Sequence, residues 1–237
     1  MKKLYIILLL ICAGALWSFC QKDTFEDKLV TYTATPSLQK IILYYKDSNG
    51  TRIGSLGNLK KHVEKDGKKL LFAMNGGMFQ KDFSPLGFYI DNGTIVRQLN
   101  TREGSGNFYL KPNGVFYITK NNTAHISTTP DFKANNMIKY ATQSGPMLVV
   151  DGKIHDAFKE GSANVNIRNG VGILPNGDVL FAMSKTEVNF YDFANYFKDK
   201  GCNNALYLDG FVSRAYAPSQ HWEQTDGDFG VMIGIIE

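Results

Sequence analysis

The chain has 237 residues, carries 26 Lys and Arg against 22 Asp and Glu for a formal charge of +4, and contains three cysteines. Its basic residues cluster no further than short pairs such as Lys60-Lys61 and Lys68-Lys69, so the dense positive face needed to grip nucleic acid is missing. With Cys12 inside an apolar N-terminal run, the cysteines exclude both a disulfide scaffold and a cysteine-ligated zinc site.

Residues 1–20 read as an export signal, with Lys2 and Lys3 ahead of the apolar run Leu4 to Ile11. That run is shorter than the roughly 20 apolar residues that span a bilayer. Its end has two readings. Cleavage after Ala13-Gly14-Ala15 gives a soluble periplasmic or secreted protein, whereas lipidation of Cys20 gives a membrane-anchored lipoprotein. Either way Lys2 and Lys3 leave, taking the charge from +4 to +2. Residues 21–29 read as a tether and 30–237 as one domain, a size that a single β-rich domain reaches.

Within the domain, Ile41 to Tyr45 predicts a buried strand, and Ser55 to Lys65 a helix with Leu56, Leu59 and Val63 on one face and Ser55 as cap. Leu70 to Met74 is another buried strand, ending in a turn at Asn75-Gly76-Gly77. Hairpins follow, turning at Asp91-Asn92-Gly93, Pro112-Asn113-Gly114 and Asn121-Asn122, and again at Asp151-Gly152 and Pro175 to Asp178. Phe190, Phe193, Ala194 and Phe197 mark a second helix, capped by Asn189 and closed by Gly201. A short strand then delivers Asp209-Gly210, and Val231 to Ile236 forms the last strand. The fold class is α+β: one domain, a mainly antiparallel or mixed sheet covered by two or more helices.

Four strand ends gather small and polar residues. Asn75-Gly76-Gly77 lets a ligand or another backbone approach closely. Gln143-Ser144-Gly145 supplies donors and acceptors for sugar hydroxyls or phosphate oxygens, or else is a polar turn. Arg168-Asn169 places a charge inside a strand-like stretch, where it needs an ionic partner or an anionic ligand; a guanidinium suits phosphate. Asp209-Gly210, with Ser213 beyond, is either a catalytic carboxylate at a strand end or an ordinary turn. Cys202, without a neighbouring His in sequence, reads as a small buried hydrophobe. The four histidines are dispersed with no zinc-binding spacing, so no metal or other cofactor is expected.

Asn75-Gly76-Gly77-Met78-Phe79, Gln143-Ser144-Gly145-Pro146-Met147-Leu148, Arg168-Asn169-Gly170-Val171-Gly172 and Leu208-Asp209-Gly210 occur in the order found in the phosphodiester glycosidase family, which the chain resembles over roughly residues 30–237. That family includes the lysosomal uncovering enzyme. Where it commonly shows Leu-Asp-Gly-Gly-Gly-Ser, this chain has Phe211 and Val212 in place of two glycines, closer to an uncharacterised bacterial branch. The resemblance implies a hydrolase that cuts a glycosyl-1-phosphate diester, with carbohydrate or glycosyl phosphate as partner. Asp209 and Arg168 are then expected as catalytic residues. Asn75, Gly76, Gly77, Gln143, Ser144, Gly145, Asn169, Gly210 and Ser213 are expected to bind substrate, and Asn75, Gln143, Arg168 and Asp209 to converge in one cleft. Two other readings stay open: a non-catalytic glycan-binding lipoprotein on the same fold, and a hydrolase of ordinary glycosidic or phosphate ester bonds.

Overall fold

The computed structural model describes residues 24–237; the expected export signal and Cys20 lie outside the described residues. Three antiparallel sheets surround one core. The first runs, in spatial order, β1 (Leu29–Ala34), β13 (Val179–Ser184), β12 (Asn169–Ile173), β15 (Ala205–Tyr207), β9 (Met147–Val150) and β10 (Lys153–Ile154). The second is β17 (Trp222–Glu223), β16 (Ala215–Ala217), β3 (Leu70–Gly77), β18 (Val231–Ile236) and β2 (Lys40–Tyr44). The third is β5 (Thr94–Arg97), β4 (Tyr89–Asp91), β8 (Ile138–Ser144), β6 (Gly114–Thr119) and β7 (Ala124–Thr128). A short ribbon pairs β11 (Val165–Asn166) with β14 (Val188–Asn189).

Successive side chains on a strand point to opposite faces, and that period sorts the core. Val171 and Phe181 of the first sheet, Phe72 and Ile233 of the second, and Phe116 and Ile126 of the third meet inside. Two outer faces are covered by helices. Helix α1 (Leu56–Lys65) lays Leu56, Leu59 and Val63 over Leu70 and Met232. Helix α2 (Phe190–Asp199) lays Phe193, Ala194 and Phe197 over Leu148, Ala182 and Ala205. Both expected caps form: Ser55 Oγ accepts from Asn58 N at 3.2 Å, and Asn189 Oδ1 from Asp192 N at 2.8 Å. Gly170 and Gly172 let α2 sit close, since a Cβ on Gly172 would lie 2.6 Å from Cys202 Sγ and 2.7 Å from Phe197 Cδ1. Phe132, packed with Phe88, Ile90 and Val115, covers the third sheet.

The structure departs from the sequence reading at several elements. Phe25–Leu29, drawn as part of the tether, are folded onto the domain: Leu29 begins β1, Phe25 packs on Tyr196, and Glu26 pairs with Lys200 at 2.8 Å. Asn107–Tyr109 is a 3-10 turn rather than a hairpin strand. Thr142, Gln143 and Ser144, read as entering a polar turn, end β8 instead; their polarity hides a strand that is buried on both faces.

Candidate active site

Three strand ends meet where β3 and β15 stop and β12 begins. On β3, Val231 pairs with Gly77 and Met232 with Asn75, which leaves Gly76 as an extra residue. Such a bulge bends a strand and re-aims its side chains. The expected turn at Asn75-Gly76-Gly77 is therefore a bulged strand. On the opposite edge of β3, backbone pairing with β16 ends at Met74 and Ala215, and the Asn75 side chain takes over, its Oδ1 accepting from Arg214 N at 3.2 Å.

Asn75 starts a network of buried polar side chains that grips the backbone around Asp209. Asn75 Nδ2 donates to the Asp209 carbonyl at 3.0 Å, and Ser213 Oγ donates to the same oxygen at 2.6 Å. Asn169 Oδ1 accepts from the Asp209 amide at 2.6 Å, while Asn169 Nδ2 donates to Asn75 Oδ1 at 3.1 Å and its carbonyl at 3.0 Å. Ser144 Oγ donates to the Leu208 carbonyl. Gly210 completes the grip, because a Cβ there would lie 2.0 Å from Tyr207 Oη and 2.3 Å from the Ile167 carbonyl. Asn75, Ser144, Asn169 and Ser213 are all buried. Four polar residues from three strands and one turn thus fix one short segment.

The carboxylate on that segment is left free. Among the described residues neither Asp209 carboxylate oxygen receives a hydrogen bond, and enclosure by protein raises its pKa to about 7. By solvent contact the residue is only partly buried, so the group is crowded yet reachable. Its charge is felt by Tyr207, whose hydroxyl burial holds up to about 12.

Arg168 approaches from the other side. It neighbours Asn169 in sequence, so its side chain points away from the Asn75–Asn169 pair and toward α2. The guanidinium stacks on Phe190 at 3.5 Å and lies 5.7 Å from the Tyr207 ring. Its Nε donates to Val188 O at 3.1 Å, and Nη2 donates to Asn164 O at 2.9 Å and Asn164 Oδ1 at 3.2 Å. No carboxylate pairs with it among the described residues. The Nε–Nη2 edge that would fork onto a phosphate is already used by backbone carbonyls, which corrects the expected bidentate role. Arg168 meets Asp209 only through Tyr207.

Of the residues expected to bind substrate, Asn75, Ser144, Asn169, Gly210 and Ser213 converge on Asp209. Gln143 does not. Its Oε1 accepts from Phe88 N and Asn100 N, both at 2.9 Å, and its Nε2 donates to Asn100 O at 2.8 Å and Thr129 Oγ1 at 3.1 Å. Every donor and acceptor is taken, so its side chain holds the 86–102 loop and has nothing left for a ligand. Gly76, Gly77 and Gly145 are positions of close packing, where a Cβ would fall 2.6 Å from Ile233 Cγ1, 2.5 Å from Thr142 Oγ1 and 2.5 Å from Asn113 Cβ. Tyr207 was missed in the sequence. Its place two residues before Asp209, on the same strand face, was the available signal.

The larger surface concavities lie elsewhere. One of about 910 Å³, lined by Asn122, His125 and Pro175 among others, sits at the far ends of β12 and β13, and one of about 540 Å³, lined by Tyr117, Ser127 and Asn203 among others, lies beside it. Neither includes Asp209. We place the site by its polar geometry and displaced carboxyl pKa, which bear on chemistry where concavity alone does not. Among the described residues no three His, Cys, Asp or Glu side chains group to hold a metal.

Over most of its length the chain is similar to known proteins. Residues 68–232 match the model of the phosphodiester glycosidase family. An uncharacterised Escherichia coli (strain K12) protein, YigE, is 39% identical over 186 residues, covering 78% of this chain and 72% of its own. The catalytic domain of zebrafish N-acetylglucosamine-1-phosphodiester alpha-N-acetylglucosaminidase, solved auto-inhibited by its pro-peptide, shares the fold with a TM-score of 0.53 and 18% identity, over 89% of this chain and 88% of that one. A hypothetical protein from Synechocystis superposes with a TM-score of 0.55 and 13% identity, over 88% of this chain and 59% of that one. The free carboxylate at the end of β15 therefore sits in a chain that belongs to the phosphodiester glycosidase family.

Proposed function

We propose that the protein is an exported hydrolase that cleaves the sugar–phosphate bond of a glycosyl-1-phosphate diester in an envelope or extracellular glycan, reaching its compartment through residues 1–20 as a soluble or Cys20-lipidated protein. The observation that carries this reading is the gripped Asp209: its backbone is immobilised by Asn75, Asn169 and Ser213 while its carboxylate stays unpaired at a pKa of about 7. A base works best when its pKa lies near the operating pH.

In the proposed reaction the C1–O bond breaks and the phosphate monoester leaves with the bonding electrons. A phosphate is already a weak base, so it needs less help from a general acid than the leaving group of an ordinary glycoside. Ionised Asp209 stabilises the oxocarbenium-like centre and takes a proton from the water whose oxygen adds to C1. Asn75, Ser144, Asn169 and Ser213 act through Asp209 as positioning residues. Arg168 supplies positive charge behind Tyr207.

The test offers sugar-1-phosphate diesters, phosphate monoesters and aryl glycosides to the protein in ¹⁸O-labelled water. Release of sugar from the diesters with label in the sugar supports the proposal. Label in the phosphate, or turnover confined to the other two classes, would overturn it.

A further inference from the structure

Phe211 is 86% exposed, more than any other large apolar side chain among the described residues. Single exposed apolar residues are common, so the exposure alone decides nothing. The setting of this one does. Ser213 N donates to the Gly210 carbonyl at 2.9 Å, closing a turn over Gly210 to Ser213. Ser213 Oγ binds the Asp209 carbonyl, and Gly210 is wedged against Tyr207 and Ile167. Val212 packs with Phe79 onto the cluster beneath α1. The turn is anchored at both ends and by its third residue, and only the ring of Phe211 is left in solvent. Two residues span at most about 7 Å between Cα atoms, so Phe211 is a near neighbour of Asp209 along the backbone.

We propose that Phe211 is the platform on which the substrate's pyranose ring stacks, making it a specificity residue for a sugar with an uninterrupted C–H face. The inference rests on the function proposed above and extends it to the residue that recognises the sugar. An aromatic face carries partial negative charge and attracts the weakly positive C–H bonds of a pyranose. As C1 gains positive character in the transition state those C–H bonds become more positive, so the contact strengthens as the barrier is climbed. Phe211 therefore contributes to kcat as well as to binding.

The experiment compares wild type, Phe211→Ala and Phe211→Trp. Binding of a panel of sugar-1-phosphates and of inorganic phosphate is measured by titration calorimetry, and kcat and KM with the matching diesters. Phe211→Ala should weaken the preferred sugar-1-phosphate about three- to ten-fold, leave inorganic phosphate unchanged, and keep its Tm, because the ring packs on nothing. Phe211→Trp should restore binding. Equal sugar-1-phosphate binding by Phe211→Ala and wild type overturns the platform, as does an equal loss for inorganic phosphate. Wild-type binding that depends on Phe211 without hydrolysis of any diester would reject the catalytic proposal and leave the platform standing. Failure of the wild type to bind any sugar-1-phosphate rejects the platform.

Discussion

Gln143 and Ser144 are neighbours on β8, and the two-residue period of the strand sends them to opposite faces. Each enters a network of buried amides and hydroxyls. On the Gln143 side every polar group is matched, and the partners are backbone groups of Phe88 and Asn100 together with Thr129. On the Ser144 side Asn75, Asn169 and Ser213 are matched just as fully, but the segment they hold ends in a carboxylate with no partner. A closed network builds structure. A network that satisfies everything except one ionisable group holds that group ready for something outside the protein.

The largest expected effect separates the two networks by chemistry. Asp209→Asn should lower kcat/KM by two to three orders of magnitude, about 3–4 kcal/mol of transition-state stabilisation, with circular dichroism unchanged. Near wild-type turnover by the folded variant would reduce Asp209 to a turn residue, since Asn suits an Asp-Gly turn equally well. The mirror experiment is Gln143→Ala, which strands the Phe88 and Asn100 backbone groups. It should cost about 3 kcal/mol of stability in urea while leaving kcat per folded molecule unaltered. A selective loss of kcat instead would move Gln143 back into the site.

A smaller effect comes from the hydrogen-bond donor that steadies the Asp209 backbone. Asn75→Ala should cut kcat about ten-fold with little change in KM, and its pH–rate curve should keep the wild-type shape. A raised KM with intact kcat would make Asn75 a substrate ligand after all. The last effect is a pH-dependent gain in stability. Folding raises the Asp209 pKa from 3.8 to about 7, so the folded protein holds the proton more tightly than the unfolded chain. Stability contributed by this group is therefore complete below about pH 4 and declines as pH rises toward 7. Asp209→Asn removes the penalty. It should raise stability by about 2 kcal/mol at pH 8, roughly half the full shift because the side chain is partly solvated, and by nothing near pH 4. Wild-type activity should rise through pH 7 as the carboxyl ionises; a falling limb there would make Asp209 an acid.

Several strands and both helices were legible because apolar period and capping residues are local properties: Leu56, Leu59 and Val63 mark α1, and Asn189 marks α2. Asp209 stood out because an acid at the end of an apolar strand is unusual, though nothing local showed the buried side chains that hold its backbone. What the sequence hid was direction. Nothing local shows that Gln143 spends its amide on a loop 43 residues away while Ser144 turns to Leu208. Arg168 was recognised as a charge needing a partner, but its partners are carbonyls of Asn164 and Val188 supplied by the neighbouring ribbon. Gly76 and Gly77 were read as letting a ligand or another backbone approach, and Gly145 as a substrate ligand, whereas all three lie close against Ile233, Thr142 and Asn113. Glycine permits close approach without naming what approaches.

Cys202 gives the protein a built-in gauge of its own breathing. It is the one cysteine among the described residues, its thiol is buried, and burial pushes its pKa up to about 12. It lies against Gly172 beneath α2. A thiol reagent can label it only while the helix is lifted, since the reactive species is the solvated thiolate. In a chain starting at Thr24 the labelling rate in native buffer therefore counts the openings that bare Cys202, excursions of α2 among them. Because Phe190 on that helix is the surface on which Arg168 rests, the same clock reports how often the positive charge behind the site loses its support.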